Sequence, residues 1–293
     1  MREPYIGVTG IFTEYDLAIL LGSAFSGGNT EFPDGYQLMV GVLASGKTLD
    51  GIPSERFPNR YPAIESIPDL FAAGNDLLNL IHFNSREPNF SSQLEKLVRV
   101  CGPNLAGFQL NICWPDPIEI MKFREAGHDH AIVLQIGESA FKSIEEDPRA
   151  LANKLGNEYK GLVDYILLDP SGGEGKEMDI SRTDSYLEKL YGLELNNSIR
   201  FGIAGGLHSG NLEKIRPLVE KYDSLSIDAE GKLRHKSDDT MNHEELQNYL
   251  IAAKKLFNQQ GGNHGTNIMR RMQRPITTRT QVSRDRWPNH STW

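Results

Sequence analysis

Short, continuously apolar segments alternate with amphipathic segments along most of this 293-residue chain, and this alternation constrains its fold more than any other feature. Continuous apolar runs rich in β-branched and aromatic residues are typical of strands buried on both faces. Strands separated by helices form βαβ units and a parallel sheet. The predicted strands are residues 5–8, 36–42, 77–83, 105–112, 131–136, 163–168, 200–204 and 224–227.

Amphipathic helices are predicted between these strands and after the last one, at residues 14–22, 67–73, 90–101, 115–125, 148–158, 183–191, 211–221 and 243–258. Eight βα units within residues 1–258 predict a single α/β domain, a (βα)8 or TIM barrel, which commonly takes about 250 residues. The longest irregular segment, residues 44–66, follows the second strand on the mouth side of the barrel. Loops of that length usually line or cover a site.

Residues 259–293 differ in composition from the rest of the chain. They contain six Arg and one Asp, a charge of +5, so that the total of −8 leaves −13 for residues 1–258. Periodicity stops there, and the few apolar residues cannot offset the entropy of ordering, which predicts a basic, disordered tail. Two interpretations remain open: a merely solvated tail, or an Arg-rich element that docks a partner.

Charge and apolar content also exclude several classes of partner. An acidic barrel is a poor match for nucleic acid, whose phosphates are bound by an excess of Lys and Arg. No apolar run approaches the roughly 20 residues of a membrane span, and no secretion signal is evident. Two cysteines form neither a disulfide framework nor a metal site by themselves. We therefore expect a cytoplasmic protein with no membrane contact, no cofactor and no bound metal.

Polar residues occupy the ends of the predicted strands, where (βα)8 barrels place their active sites. The candidate catalytic residues at these ends are Thr9, His82, Cys113, Asp169 and Asp228, and Glu138 is a candidate for substrate binding. Each has a structural alternative: a helix or loop cap for the carboxylates, a hydrogen-bonded core residue for the histidine, and a small buried side chain for the cysteine. An ionised carboxylate after an apolar strand is costly unless it is paired or functional.

Two glycine clusters follow the sixth and seventh predicted strands. They comprise Gly172, Gly173 and Gly175 in the first cluster, and Gly205 and Gly206 in the second. Glycine loops can turn backbone N–H groups toward an oxyanion, and barrels often bind phosphate near their last strands. These clusters predict a phosphorylated small-molecule ligand, with tight turns as the alternative.

Four sequence blocks resemble those of the phosphoribosylanthranilate isomerase family: IGVTGIFTEYDL (6–17), YILLDPSGGEGKEMDI (165–180), FGIAGGLHSGNL (201–212) and SIDAEGK (226–232). The resemblance implies a barrel of the ribulose-phosphate-binding superfamily that catalyses an acid/base isomerisation. It assigns the general acid to Asp169, matches Asp228 to an eighth-strand aspartate, and gives Gly173, Gly205 and Gly206 to phosphate binding. Thr9 stands where the family has its cysteine base.

The sequence thus predicts an isomerase-like or lyase-like enzyme for a phosphorylated sugar-containing metabolite. Asp169 is the expected acid, and the base is left open among Thr9, Cys113, His82 and Glu138. Because Thr9 lacks the basicity of a cysteine thiolate, a noncatalytic relative that keeps the barrel and a ligand site is the alternative.

Overall fold

A computed structural model describes residues 2–25, 31–170, 177–192 and 198–259, and in them eight parallel strands form a closed barrel. Neighbouring strands follow one another in sequence, and the last pairs with the first to close the barrel. The strands are β1 (Tyr5–Thr9), β2 (Gln37–Ser45), β3 (Leu77–Asn84), β4 (Gly107–Leu110), β5 (Ala131–Ile136), β6 (Tyr165–Leu168), β7 (Arg200–Ala204) and β8 (Ser226–Ala229). The predicted (βα)8 fold is confirmed.

Helices surround the barrel. The α-helices are α1 (Glu14–Phe25), α2 (Gly46–Leu49), α3 (Phe90–Cys101), α4 (Pro117–Glu125), α5 (Glu138–Ser143), α6 (Pro148–Lys154), α7 (Ile180–Gly192), α8 (Arg216–Lys221) and α9 (His243–Asn258). Short 3-10 segments lie at Ile64–Leu70, Gly102–Asn104, Leu212–Ile215 and Gly231–Leu233, and a π-helical turn lies at Leu155–Tyr159. No helix in the described ranges is long and apolar enough to cross a membrane.

Side chains alternate between two layers because successive strand residues point to opposite faces. The larger apolar cluster lies between the strands and the surrounding helices, and a smaller one, including Met39, Leu80 and Leu167, fills the barrel interior. Toward the carboxyl ends of the strands, the buried residues become polar. They include Thr9, His82, Gln109, Gln135, Asp169 and Asp228. The apolar interior therefore gives way to a polar layer at the mouth.

Several predicted elements differ from the observed ones. The predicted helix 67–73 is a 3-10 segment at Ile64–Leu70 that contains Pro68, and proline disfavours a regular α-helix because it removes an N–H donor. The predicted helix 211–221 divides into a 3-10 turn and α8, with Pro217 in the first turn of α8. Helix α5 was not predicted. The predicted tail lies outside the described residues apart from Gln259.

Candidate active site

A chain of buried side chains crosses the barrel at the mouth and links its two candidate aspartates. The Thr9 hydroxyl lies 3.0 Å from both carboxyl oxygens of Asp228. The Gln109 amide donates to Asp228 Oδ2 and to Gln135 Oε1, each at 3.3 Å. The Gln135 amide in turn donates to Asp169 Oδ2 at 2.8 Å. Residues from β1, β4, β5 and β8 and the residue that follows β6 thus form one hydrogen-bonded layer.

Asp228 is kept largely protonated near neutral pH. Burial raises the pKa of its carboxyl to about 8, and the nearby Glu230 and Asp169 carboxylates add to the rise. Hydrogen bonds from Thr9 and Gln109 act in the opposite direction but are weaker than the burial effect. A neutral carboxylic acid is therefore available in the barrel interior at physiological pH.

His82 is the buried histidine of the mouth, with only 6% of its surface exposed. Neither ring nitrogen forms a hydrogen bond with any residue of the described ranges, and Nδ1 lies 3.9 Å from Glu230 Oε2. Burial lowers the pKa of this imidazole, although Glu230 and Asp169 oppose the change. The ring is thus neutral at physiological pH and can accept a proton.

The long segment after β2 crosses part of the mouth and is fastened to the segment after β8. Arg60 forms a bidentate ion pair with Asp239, at 2.5 and 2.6 Å, and a further ion pair with Glu230 at 2.8 Å. The buried Arg234 guanidinium donates to the carbonyl oxygens of Gly10, Asn59 and Asp239. These contacts support the prediction that residues 44–66 line or cover the mouth.

Two cavities with shared lining residues lie at the mouth. One cavity, of about 310 Å³, is bordered by His82, Cys113, Glu138, Asp169 and Glu230 among others. The other, of about 40 Å³, lies deeper and is bordered by Arg60, His82, Asp169, Gly205, Gly206 and Asp228 among others. His82 and Asp169 border both cavities. The larger one is within the usual size range for small-ligand sites, and the deeper one is too small to hold a metabolite alone.

The other candidate bases are less suited to proton transfer. Thr9 is hydrogen-bonded to the Asp228 carboxyl, which is largely protonated near neutral pH and is then a poor base for activating the hydroxyl. Partial burial raises the pKa of the Cys113 thiol, so little thiolate is present at neutral pH. Glu138 begins α5 and pairs with Lys142 at 2.7 Å, the usual arrangement of an acidic residue in a first helical turn.

The predicted phosphate-binding loops are described in part. Gly172, Gly173 and Gly175 lie outside the described residues. Gly205 and Gly206 adopt positive φ angles of 110° and 65°, which glycine tolerates best. Asn211 braces this turn, because its side chain donates to the Gly206 carbonyl at 2.8 Å and accepts from the His208 N–H at 2.9 Å. The 3-10 turn that follows has only four residues, so its helix dipole would add little to anion binding at this loop.

Replacing Asn211 with Ala is expected to lower the free energy of unfolding by about 1–2 kcal/mol, because two backbone groups lose their partner. Urea unfolding measures the change. Asn89→Ala is the matched control, since Asn89 is exposed and its side chain caps no N–H. Equal losses in the two variants would contradict a bracing role for Asn211.

Three residues of the mouth were not predicted as site residues. Gln109 lies within an apolar strand, yet β-strand alternation places it on the same face as the polar Asn111, and this pairing is a sequence signal for it. Gln135 is the penultimate residue of β5 and lies near the carboxyl end of its strand, as the predicted candidates do. Arg60 lies in an irregular segment, and its ion pairs with Glu230 and Asp239 span about 170 residues of sequence, so no local pattern reveals it.

A closed (βα)8 barrel with titratable side chains gathered at the carboxyl ends of its strands belongs to the architecture in which enzymes place their active sites at that end. The chain is similar in structure to a monomeric form of the dimeric phosphoribosylanthranilate isomerase from Thermotoga maritima, with a TM-score of 0.53 and 16% sequence identity. The match covers 87% of this chain and 99% of that one. At this identity the likeness establishes the fold. No family model and no curated protein matches the sequence.

Proposed function

We propose that the protein is an isomerase-like enzyme that moves a proton within a small phosphorylated, sugar-containing metabolite. The observation that carries the proposal is the pairing of two groups across one cavity: the neutral His82, whose ring nitrogens have no hydrogen-bond partner in the described ranges, and Asp169. His82 is the base, and Asp169 is the acid, as the family resemblance implies. Asp228 contributes a neutral carboxyl beneath them.

The arrangement suits proton transfer between carbon and oxygen. A neutral imidazole can remove a proton from the carbon next to a carbonyl or imine. A carboxylic acid can donate a proton to the oxygen on which negative charge develops, or to a leaving oxygen. The reaction then needs no cofactor, because both proton transfers use side chains of the chain. General acid/base groups of this kind contribute about 10²–10⁴-fold to rate.

Deuterium exchange tests the proposal without knowledge of the product. Phosphorylated aldoses, ketoses and ribosylamines are incubated with the protein in D₂O, and incorporation of deuterium into carbon is followed by mass spectrometry. We expect exchange with at least one compound, and a loss of about 10²-fold or more in His82→Asn and Asp169→Asn. Cys113→Ser is the control from the same cavity and should retain the rate. Full activity in His82→Asn would eliminate the proposed base.

Two observations favour a second candidate, a noncatalytic protein that binds a ligand. The Arg60–Glu230 ion pair lies at the mouth, and the cavity next to Asp228 measures only about 40 Å³. In that case a phosphorylated ligand raises the melting temperature, because any ligand that binds the native state stabilises it. Stabilisation without deuterium exchange across the whole panel would support the binding protein over the enzyme.

A further inference from the structure

A separate cavity of about 780 Å³ lies beside the mouth, between the segments that follow β2 and β3. Its walls are formed by α2, parts of residues 50–61, residues 84–87 and 89, and the first half of α3. It shares no lining residue with the two cavities that contain His82 and Asp169. Its volume is within the range of about 300–1,000 Å³ found for small-molecule sites.

Four cations line this cavity: Lys47, Arg56, Arg86 and Lys96. Across the described ranges, none of them takes part in a salt bridge, and the guanidinium of Arg56 lies 4.9 Å from the centre of the Phe57 ring. With its three carboxylates the lining carries a net formal charge of +1, whereas residues 1–258 together carry about −13. Arginine and lysine groups without protein partners are suited to bind phosphate oxygens.

Three carboxylates also line the cavity: Asp50, Glu55 and Glu87. They would repel a simple inorganic anion, but they are good acceptors for the hydroxyl groups of a sugar. The Ser85 hydroxyl donates to Gln93 Oε1 at 2.7 Å, which fixes the amide and leaves its NH₂ group for another acceptor. A ligand with both phosphate and hydroxyl groups therefore matches the lining better than a ligand with only one of them.

The cavity also lies close to the proposed base. Asn84 lines it, and Asn84 follows His82 by two residues on β3, so the two side chains point to the same face of the strand. Residues two apart on a strand are separated by about 6.6–6.8 Å. Asn84 therefore borders the cavity at a position one strand repeat from His82.

We propose that this cavity binds the phosphate-bearing part of a polyhydroxylated phosphate ester, with Arg56 and Arg86 as the principal phosphate ligands. The assignment of this ester as the substrate rests on the proposed function, whereas the assignment of the cavity as its binding site does not depend on it. It places the phosphate on the β2 and β3 side of the mouth, whereas the family resemblance places it at the glycine loops after β6 and β7.

Isothermal titration calorimetry with ribose 5-phosphate, ribose and inorganic phosphate tests the proposal on the full chain. We expect ribose 5-phosphate to bind more tightly than either fragment, and Arg56→Gln/Arg86→Gln to weaken it at least tenfold. The control Arg99→Gln/Arg149→Gln removes the same charge from exposed positions elsewhere and should leave Kd unchanged. Absence of binding to the unaltered protein, or equal weakening in both double variants, would overturn the site.

Asn211→Ala separates the two phosphate locations, since Asn211 braces the glycine loop after β7. If Asn211→Ala binds ribose 5-phosphate more weakly while Arg56→Gln/Arg86→Gln retains its affinity, the phosphate lies at the glycine loop and the proposal is refuted. His82→Asn separates binding from catalysis. If His82→Asn retains its affinity for ribose 5-phosphate and neither it nor the unaltered protein catalyses deuterium exchange, the proposed function is refuted and the cavity assignment is supported.

Discussion

Asp228→Asn is expected to flatten the pH dependence of stability between about pH 4 and pH 8. In the unfolded chain an aspartate ionises near pH 4, whereas in the folded protein burial raises the pKa of Asp228 to about 8. Between these values the folded state holds the additional proton, so stability falls as pH rises. The slope from this one group is about −1.4 kcal/mol per pH unit. Asparagine is neutral, has nearly the same size, and removes this contribution.

The measurement is urea unfolding of both proteins at several pH values from 5 to 8. The stability of Asp228→Asn relative to the unaltered protein should increase steadily with pH, because ionisation of the aspartate stabilises the unfolded state more and more as pH rises, and asparagine cannot ionise. Asp34→Asn serves as the control, since Asp34 is exposed, and its curve should run parallel to that of the unaltered protein. Parallel curves for Asp228→Asn would show that Asp228 ionises at an ordinary pKa.

Arg234→Met is expected to be the most destabilising of the single substitutions considered for the mouth. The side chain is 6% exposed, and its guanidinium donates to three backbone carbonyls from three different segments of the chain. Methionine preserves the apolar stem but leaves all three carbonyls without this donor. Charge-assisted hydrogen bonds contribute about 1.5–3 kcal/mol each, and they are not fully additive, so we expect a loss of about 3–5 kcal/mol.

Urea unfolding at pH 7 measures this loss, and two further variants interpret it. Arg234→Lys keeps the charge but lacks the planar fork, so it should recover only part of the stability. Arg149→Met changes an exposed arginine and should alter stability by no more than about 0.5 kcal/mol. A loss below about 1 kcal/mol in Arg234→Met would contradict its role as the link between the three segments.

Strand positions were predictable because each strand is a continuous apolar run, a pattern that burial on both faces imposes. The predicted strand 36–42 nevertheless ends three residues before β2 does, because Leu43, Ala44 and Ser45 are held by pairing with β3, and long-range pairing leaves no local mark. Helix α5 was missed for a related reason: at six residues it is too short to show an amphipathic period. Two predicted helices that contain proline differ from the observed elements: 67–73 falls on a 3-10 segment, and 211–221 is a 3-10 turn followed by the shorter α8.

The site was predictable only where strand ends identified it. His82, Asp169 and Asp228 were candidates by position, and the structure brings all three to one small cavity. Their protonation states were not predictable, since the pKa of Asp228 depends on how deeply the barrel buries it, and to a lesser extent on the neighbouring Glu230 and on Asp169, which follows β6. The ion pairs of Arg60 likewise depend on closure of the barrel. Catalytic roles for these residues stay predictions.

The fastening of residues 59 and 60 to residues 230–239 has a consequence for how the chain acquires its mouth. These contacts join segments about 170 to 180 positions apart, and the pairing of β8 with β1 brings the two segments together. The entropic cost of closing so large a loop is met by strand pairing, not by the ion pairs themselves. We therefore expect the mouth to assemble late in folding, and we expect a change that loosens the β1–β8 pairing to loosen the segment that borders His82 as well.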